Sequence, residues 1–78
     1  MSIRKTIGEN MKILRTKKQW SQEKLAIRSK LSVNYVSALE RGTVNISVDN
    51  LEKIAKTLLV EVEDLVRKHS NPTPNPKK

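Results

Sequence analysis

The sequence predicts an all-α fold of five helices, and three observations carry that expectation. Apolar residues recur at spacings of three and four along most of the chain, the period of a helix face. A pattern of apolar residue, serine, three other residues and a second apolar residue occurs at Trp20–Leu25, Leu31–Val36 and Ile46–Leu51. Residues that favour strands or interrupt helices are scarce: there is no phenylalanine, there are two glycines, and the prolines are confined to Pro72, Pro74 and Pro76. With 78 residues the chain makes one small domain, which buries only about 60% of its unfolded surface and holds a single core.

Each element follows from local chemistry. Ile3, Ile7, Met11 and Leu14 share one face of a first helix over about residues 3–17, leaving Arg4, Lys5, Lys12, Lys17 and Lys18 mostly outside. In each of the three repeated patterns the serine is an N-cap, and the residue before it packs on the residue four positions into the helix. The patterns therefore start helix 2 over about residues 22–28, helix 3 over about 33–41 and helix 4 over about 48–58. Gly42 suits the left-handed residue that ends helix 3. A fifth helix over about residues 61–68 buries Val62, Leu65 and Val66, with Glu61, Glu63 and Asp64 at its positive end. The domain spans residues 1–68, and residues 69–78, with alternate prolines and little to bury, form a flexible Pro- and Lys-containing tail. The expected core is Ile7, Met11, Leu14, Leu25, Val36, Leu39, Ile46, Leu51, Ile54, Leu58 and Leu65.

Charge bounds the function. The net charge is +8, and it is uneven: residues 1–30 hold nine Lys/Arg and two acids, whereas residues 31–66 hold three and six. Such polarisation points to a polyanion. No cysteine and a single histidine, His69, leave no thiolate chemistry and no multi-histidine metal site, so no metal and no cofactor are expected. Eight scattered acids supply no catalytic pair, and so small a domain encloses no substrate pocket, which argues against an enzyme. No apolar run reaches the roughly 18 residues of a membrane span, and no signal-peptide pattern opens the chain, so a cytoplasmic protein is expected. Helix 1 is basic without aromatic anchors, which speaks against a membrane-surface role.

Helices 2 and 3 stand at helix-turn-helix spacing, with too short a turn at Ser29–Leu31 to lie flat together, so one face of helix 3 projects. At about 100° per residue, Val33, Asn34, Ser37, Ala38 and Arg41 share an arc without an acid, and Tyr35, Val36, Leu39 and Glu40 lie opposite. The first set suits a major groove: Asn34 can bond an adenine edge, Val33 can meet a thymine methyl, and Arg41 suits phosphate or guanine. Gln22, first in helix 2, lies where free amides favour a phosphate. Glu40, on the inward arc, would be costly to bury alone, and Arg15, about 40° from Met11 on helix 1, can reach it.

The segments Trp20-Ser-Gln-Glu-Lys-Leu-Ala26 and Leu31-Ser-Val-Asn-Tyr-Val-Ser-Ala-Leu-Glu-Arg-Gly42 resemble the helix-turn-helix of the XRE/phage-repressor class, and the resemblance covers residues 3–67. Glu40 to Ala55 is most similar to the controller proteins of restriction–modification systems. The resemblance implies a five-helix repressor-like domain and a homodimer that binds palindromic operator half-sites on double-stranded DNA and regulates transcription, with RNA polymerase as a candidate partner. It assigns base reading to Val33, Asn34, Ser37 and Ala38, and phosphate contact to Gln22, Ser32, Tyr35, Arg41 and Asn45. It also implies an Arg15–Glu40 pair, with Arg15 approaching the DNA backbone. Its dimer interface falls at the end of helix 4 and helix 5, where Leu59, Val60, Val62 and Val66 are more apolar surface than one core absorbs. Controllers often carry arginine where Val33 stands, so their guanine contact is expected to be missing. The class usually has glycine at the positions of Gln19, Lys30 and Leu59; Gln19 and Lys30 are expected to tolerate the left-handed conformation, and Leu59 to continue or tighten helix 4. An antitoxin-like or phage-repressor-like interaction module is the alternative; a toxin-sequestering role would leave the basic half unexplained.

Overall fold

The computed structural model describes residues 2–68, so the tail expected from His69 onward lies outside the described residues. Five α-helices run in order: α1 (Ile3–Lys17), α2 (Gln22–Ser29), α3 (Val33–Arg41), α4 (Val48–Leu58) and α5 (Val62–Val66), with no strand among the described residues. Ser21, Ser32 and Ser47 are the N-caps of α2, α3 and α4, and their hydroxyls accept from the amides of Lys24, Tyr35 and Asn50. Trp20, Leu31 and Ile46, each just before its serine, pack on the core. At the start of α5, the Asp64 carboxylate accepts from the Glu61 amide at 3.0 Å. That helix is shorter than expected, because Arg67 leaves the helical conformation (φ −77°, ψ 136°).

α3 packs against α1 and α2, while α5 closes over α1 and α4. The buried apolar centre is Ile7, Met11, Leu25, Ala26, Val36, Leu39, Ile54, Ala55, Leu58 and Leu65, with Leu14, Ile46 and Leu51 partly buried against it. Ile3 does not join them; it is 59% exposed, since the first turn of α1 overhangs the core. Two small or polar residues of α1 matter as much as its apolar face. Asn10 is buried, and its amide nitrogen donates to the carbonyls of Leu65 and Arg67, both at 2.7 Å, tying α5 to α1. Gly8 lets α1 and α3 touch through their backbones: a Cβ there would collide with the Leu39 carbonyl oxygen and lie 2.6 Å from that of Glu40.

Three of the four corners are left-handed without glycine. Gln19, Lys30 and Leu59 have φ of 62°, 60° and 62°, and Gly42 makes the fourth corner at 74°. For Leu59 this corrects the expectation that it continues α4: the helix stops at Leu58, and the Leu59 and Val60 amides turn back to the carbonyls of Lys56 and Ala55. A side-chain-bearing residue costs about 1–2 kcal/mol in this conformation, so each corner is held by the packing on either side of it.

Two stability measurements test this packing. Gly8→Ala should destabilise the domain despite the helix propensity gained, by about 1–3 kcal/mol in a urea titration, because the obstructing atoms are backbone. The Ser29 hydroxyl is buried with no hydrogen-bond partner, so Ser29→Ala should raise the denaturation midpoint, corresponding to about 1 kcal/mol.

Candidate nucleic-acid interface

The projecting helix is α3, and its outer face is assembled as the turn geometry demands. Val33 is 42% exposed at the first helical position, beside exposed Asn34. One turn on, Ser37 and Ala38 are half-buried, and Arg41 at the end is exposed. Arg41 Nη1 donates to Ser37 Oγ at 2.7 Å, which draws the guanidinium along the helix rather than away from it. No acidic side chain interrupts the arc, because Glu40 turns inward: only 4% of its side chain is exposed.

Around this face stand the other candidates. Ser32 spends its hydroxyl capping α3, accepting from Tyr35 N at 3.1 Å. Tyr35 is half-buried, and its hydroxyl accepts from Asn50 Nδ2 at 3.1 Å and points toward the carbonyl of exposed Asn45 at 3.4 Å. The loop from Thr43 to Ile46 is thereby braced to α3 at one end, where Thr43 bonds the Ala38 carbonyl, and to α4 through Tyr35 at the other.

Behind the face, one network sets the position of α3. Arg15 Nε donates to Glu40 Oε2 at 2.7 Å and Nη2 to Oε1 at 3.0 Å, a two-pronged pair that orients both groups. Arg15 Nη1 donates to the Trp20 carbonyl at 2.7 Å, and Gln22 Nε2 donates to Glu40 Oε1 at 3.0 Å. The hydrogen bonding of Arg15 to Glu40 raises the Arg15 pKa above its ordinary value; burial opposes it, and the attraction of the Glu40 charge adds to it. Arg15 is only 9% exposed, and each of its three nitrogens has a partner inside the protein, so the structure places it behind the face and not upon it. Gln22 likewise directs one amide N–H inward. Besides Ser32, Tyr35 and Asn45 at the rim, the sequence-derived site residues fall into two groups. Val33, Asn34, Ser37, Ala38 and Arg41 share the outer face, whereas Arg15, Glu40 and Gln22 form its support. The Trp20 carbonyl is a member of that support that side-chain patterns could not reveal.

The proposed interface residues divide in the same way. Leu59 is 81% exposed, whereas Val60, Val62 and Val66 are partly buried and pack on the core. Among the described residues no helix is long and apolar enough to cross a membrane, and no group of three or more His, Asp or Glu could hold a metal ion.

A serine-capped helix pair whose second helix has an acid-free outer face, propped from behind by an ion pair, defines a DNA-binding helix-turn-helix protein. The comparisons agree: the helix-turn-helix family model matches residues 11–65, and the chain belongs to that family, in its XRE-type branch. It is similar to the control protein C.BamHI of Bacillus amyloliquefaciens, 46% identical over 66 residues that cover 83% of this chain and 82% of that protein. Its fold matches the crystal structure of the restriction–modification controller C.AhdI from Aeromonas hydrophila, with a TM-score of 0.77 and 40% identity over 80% of this chain and 94% of that one. A further match is the controller C.Esp1396I, solved as a tetramer in complex with its natural 35 base-pair operator, with a TM-score of 0.73 and 27% identity over 86% and 99% of the chains.

The support makes a prediction. Glu40→Ala removes the partner of a buried cation and should cost up to about 3–5 kcal/mol by thermal or urea unfolding. Arg15→Met should cost less, because Gln22 remains to bond the carboxylate. Wild-type stability in both variants would mean that the pair does not hold α3.

Proposed function

We propose that this protein is a cytoplasmic, non-enzymatic transcriptional regulator of the restriction–modification controller type, which binds a palindromic operator as a homodimer with α3 in the major groove. The observation that carries the reading is the acid-free arc of Val33, Asn34, Ser37, Ala38 and Arg41 on a chain of net charge +8. In this reading the first four face base edges, while Arg41, Gln22, Ser32, Tyr35 and Asn45 hold phosphates. Arg15 acts from behind by fixing Glu40, which keeps a carboxylate away from the DNA. No cofactor takes part; as a regulator it would act on RNA polymerase at the promoter it occupies. The similarity to controllers, one of which is solved on its operator as a tetramer, supports both the ligand and the assembly.

The dimer rests on Leu59. A leucine in the left-handed region, 81% exposed, bears both a conformational and a hydration cost in the lone chain. A second copy packed over the α4–α5 corner would offset both, with Val60, Val62 and Val66 contributing their uncovered edges. Two recognition helices would then lie about 34–36 Å apart, one turn of DNA.

Selection of preferred duplexes from a randomised pool tests the reading; no enrichment over random sequence would sink it. Asn34→Ala should lose discrimination at one or two base pairs, about 1–3 kcal/mol. Arg41→Ala should instead weaken all sequences alike and reduce the salt slope by about one unit.

The interface makes a prediction of opposite signs. Leu59→Gly should stabilise the dilute monomer, by about 1 kcal/mol, while weakening the dimer in sedimentation equilibrium. A dimer of undiminished affinity would place the interface elsewhere.

A further inference from the structure

Trp20 does more than close the start of α2. Three cations converge on its indole: Lys18 Nζ lies 5.3 Å, Lys24 Nζ 5.6 Å and Arg28 Cζ 5.1 Å from the ring centroid. The ion pairs Arg15–Glu40 and Arg67–Asp64 involve none of the three, and no carboxylate pairs with Lys18, Lys24 or Arg28 among the described residues. Like charges this close repel, and the ring is what holds them together, since the face of an indole attracts a cation. The cluster is half-buried at Trp20 and Lys18 and exposed at Lys24 and Arg28. None of these residues belongs to the α3 face or to its support, apart from the Trp20 carbonyl.

We propose that this cluster is a second seat for the DNA backbone, in which Lys18, Lys24 and Arg28, gathered on the Trp20 ring, hold phosphates that flank the groove occupied by α3. The proposal rests on the reading of α3 as a DNA-recognition helix. Three arguments favour a phosphodiester strand as the occupant. The first is charge: the three cations form a compact, uncompensated site, and duplex DNA presents about one phosphate per 1.7 Å of its axis. The second is order. The ring restrains the long side chains before any ligand arrives, so binding sacrifices less of their freedom than it would for free surface lysines. The third is registration. The Trp20 carbonyl accepts from Arg15, Arg15 grips Glu40 of α3, and Gln22, two residues after Trp20, bonds the same carboxylate. The cluster and the recognition helix are therefore fixed to one network, which a strand lying across both requires and a separate protein partner does not. Ser21 also opens α2 beside the ring, where the first amides of the helix favour an anion.

The test uses the full chain and a duplex selected for its sequence preference, with Lys24→Gln/Arg28→Gln compared with wild type; both positions are exposed, so the fold tolerates the change. If the cluster holds phosphates, the dependence of log affinity on log salt becomes shallower by about one unit for each cation removed, while the ratio of preferred to scrambled duplex affinity stays at its wild-type value. A slope equal to that of wild type overturns the proposal, including the case in which the variant loses binding to acidic peptides instead. Trp20 is the sole tryptophan, so its emission gives a readout in the unaltered protein. Emission that changes on duplex addition and recovers with salt supports the seat, and emission indifferent to saturating duplex removes it. Failure of the α3 reading would look different: wild type would show no preference among sequences at any salt concentration.

Discussion

The Arg15–Glu40 pair is the constraint on which the rest of this structure depends. It joins α1 to α3 through two short hydrogen bonds, and the third arm of the guanidinium reaches the Trp20 carbonyl in the turn between α1 and α2. Gln22 brings α2 to the same carboxylate. Three helices and a turn are registered by one buried network around a single charge pair. A purely apolar contact at this place would have supplied comparable burial, since a buried ion pair is weak evidence for stability. What it supplies in addition is direction: a two-pronged pair has one good geometry, whereas aliphatic side chains slide.

That direction matters because α3 is short and supported from one side. It spans Val33 to Arg41, with only Val36 and Leu39 fully buried. Its rotation about its own axis is set by those two residues and by Glu40. Gly8 works to the same end, since it brings the α1 backbone against the carbonyls of Leu39 and Glu40. Close approach and ion pair both act on the last turn of α3, while Ser32 fixes the first. The helix is held at both ends and free along its outer face.

Much of this was legible in the sequence, and the parts that were not have physical reasons. The caps could be read because an N-cap is a local device: serine, orphan amide and staple all lie within a few residues. The large core residues could be read from period alone. Asn10, Gly8 and Ser29 could not, because their burial comes from elements distant in sequence: Asn10 meets the carbonyls of Leu65 and Arg67. Ile3 carried the right period yet lies outside, since periodicity identifies a face but not how far along the helix the core extends. Leu59 ran against expectation because propensity argues for continuing a helix, and tertiary packing of Val60 and Val62 on the core requires the turn. The outer face of α3 was legible as a set of residues. Whether a polar side chain was free or already engaged was not: Arg41 proves to be bonded to Ser37, and Gln22 to Glu40.

The resulting distribution of charge separates two tasks. The arc from Val33 to Ala38 is uncharged, and Arg41 at its end is tethered to Ser37. Most of the attraction for a polyanion must therefore come from cations other than Arg41, most of which lie in residues 1–30, on α1, on α2 and in the corners after them. For the proposed base-reading role, a neutral surface has a physical advantage. Phosphate attraction is indifferent to sequence, so a cation on the reading face would strengthen correct and incorrect sites alike. Short neutral side chains on a fixed helix contribute almost nothing unless the base edges match. With Glu40 turned inward and its charge matched by Arg15, the face presents no carboxylate that would repel a DNA strand. The pair that fixes the helix is thus the same device that clears its surface of the one acid in its sequence.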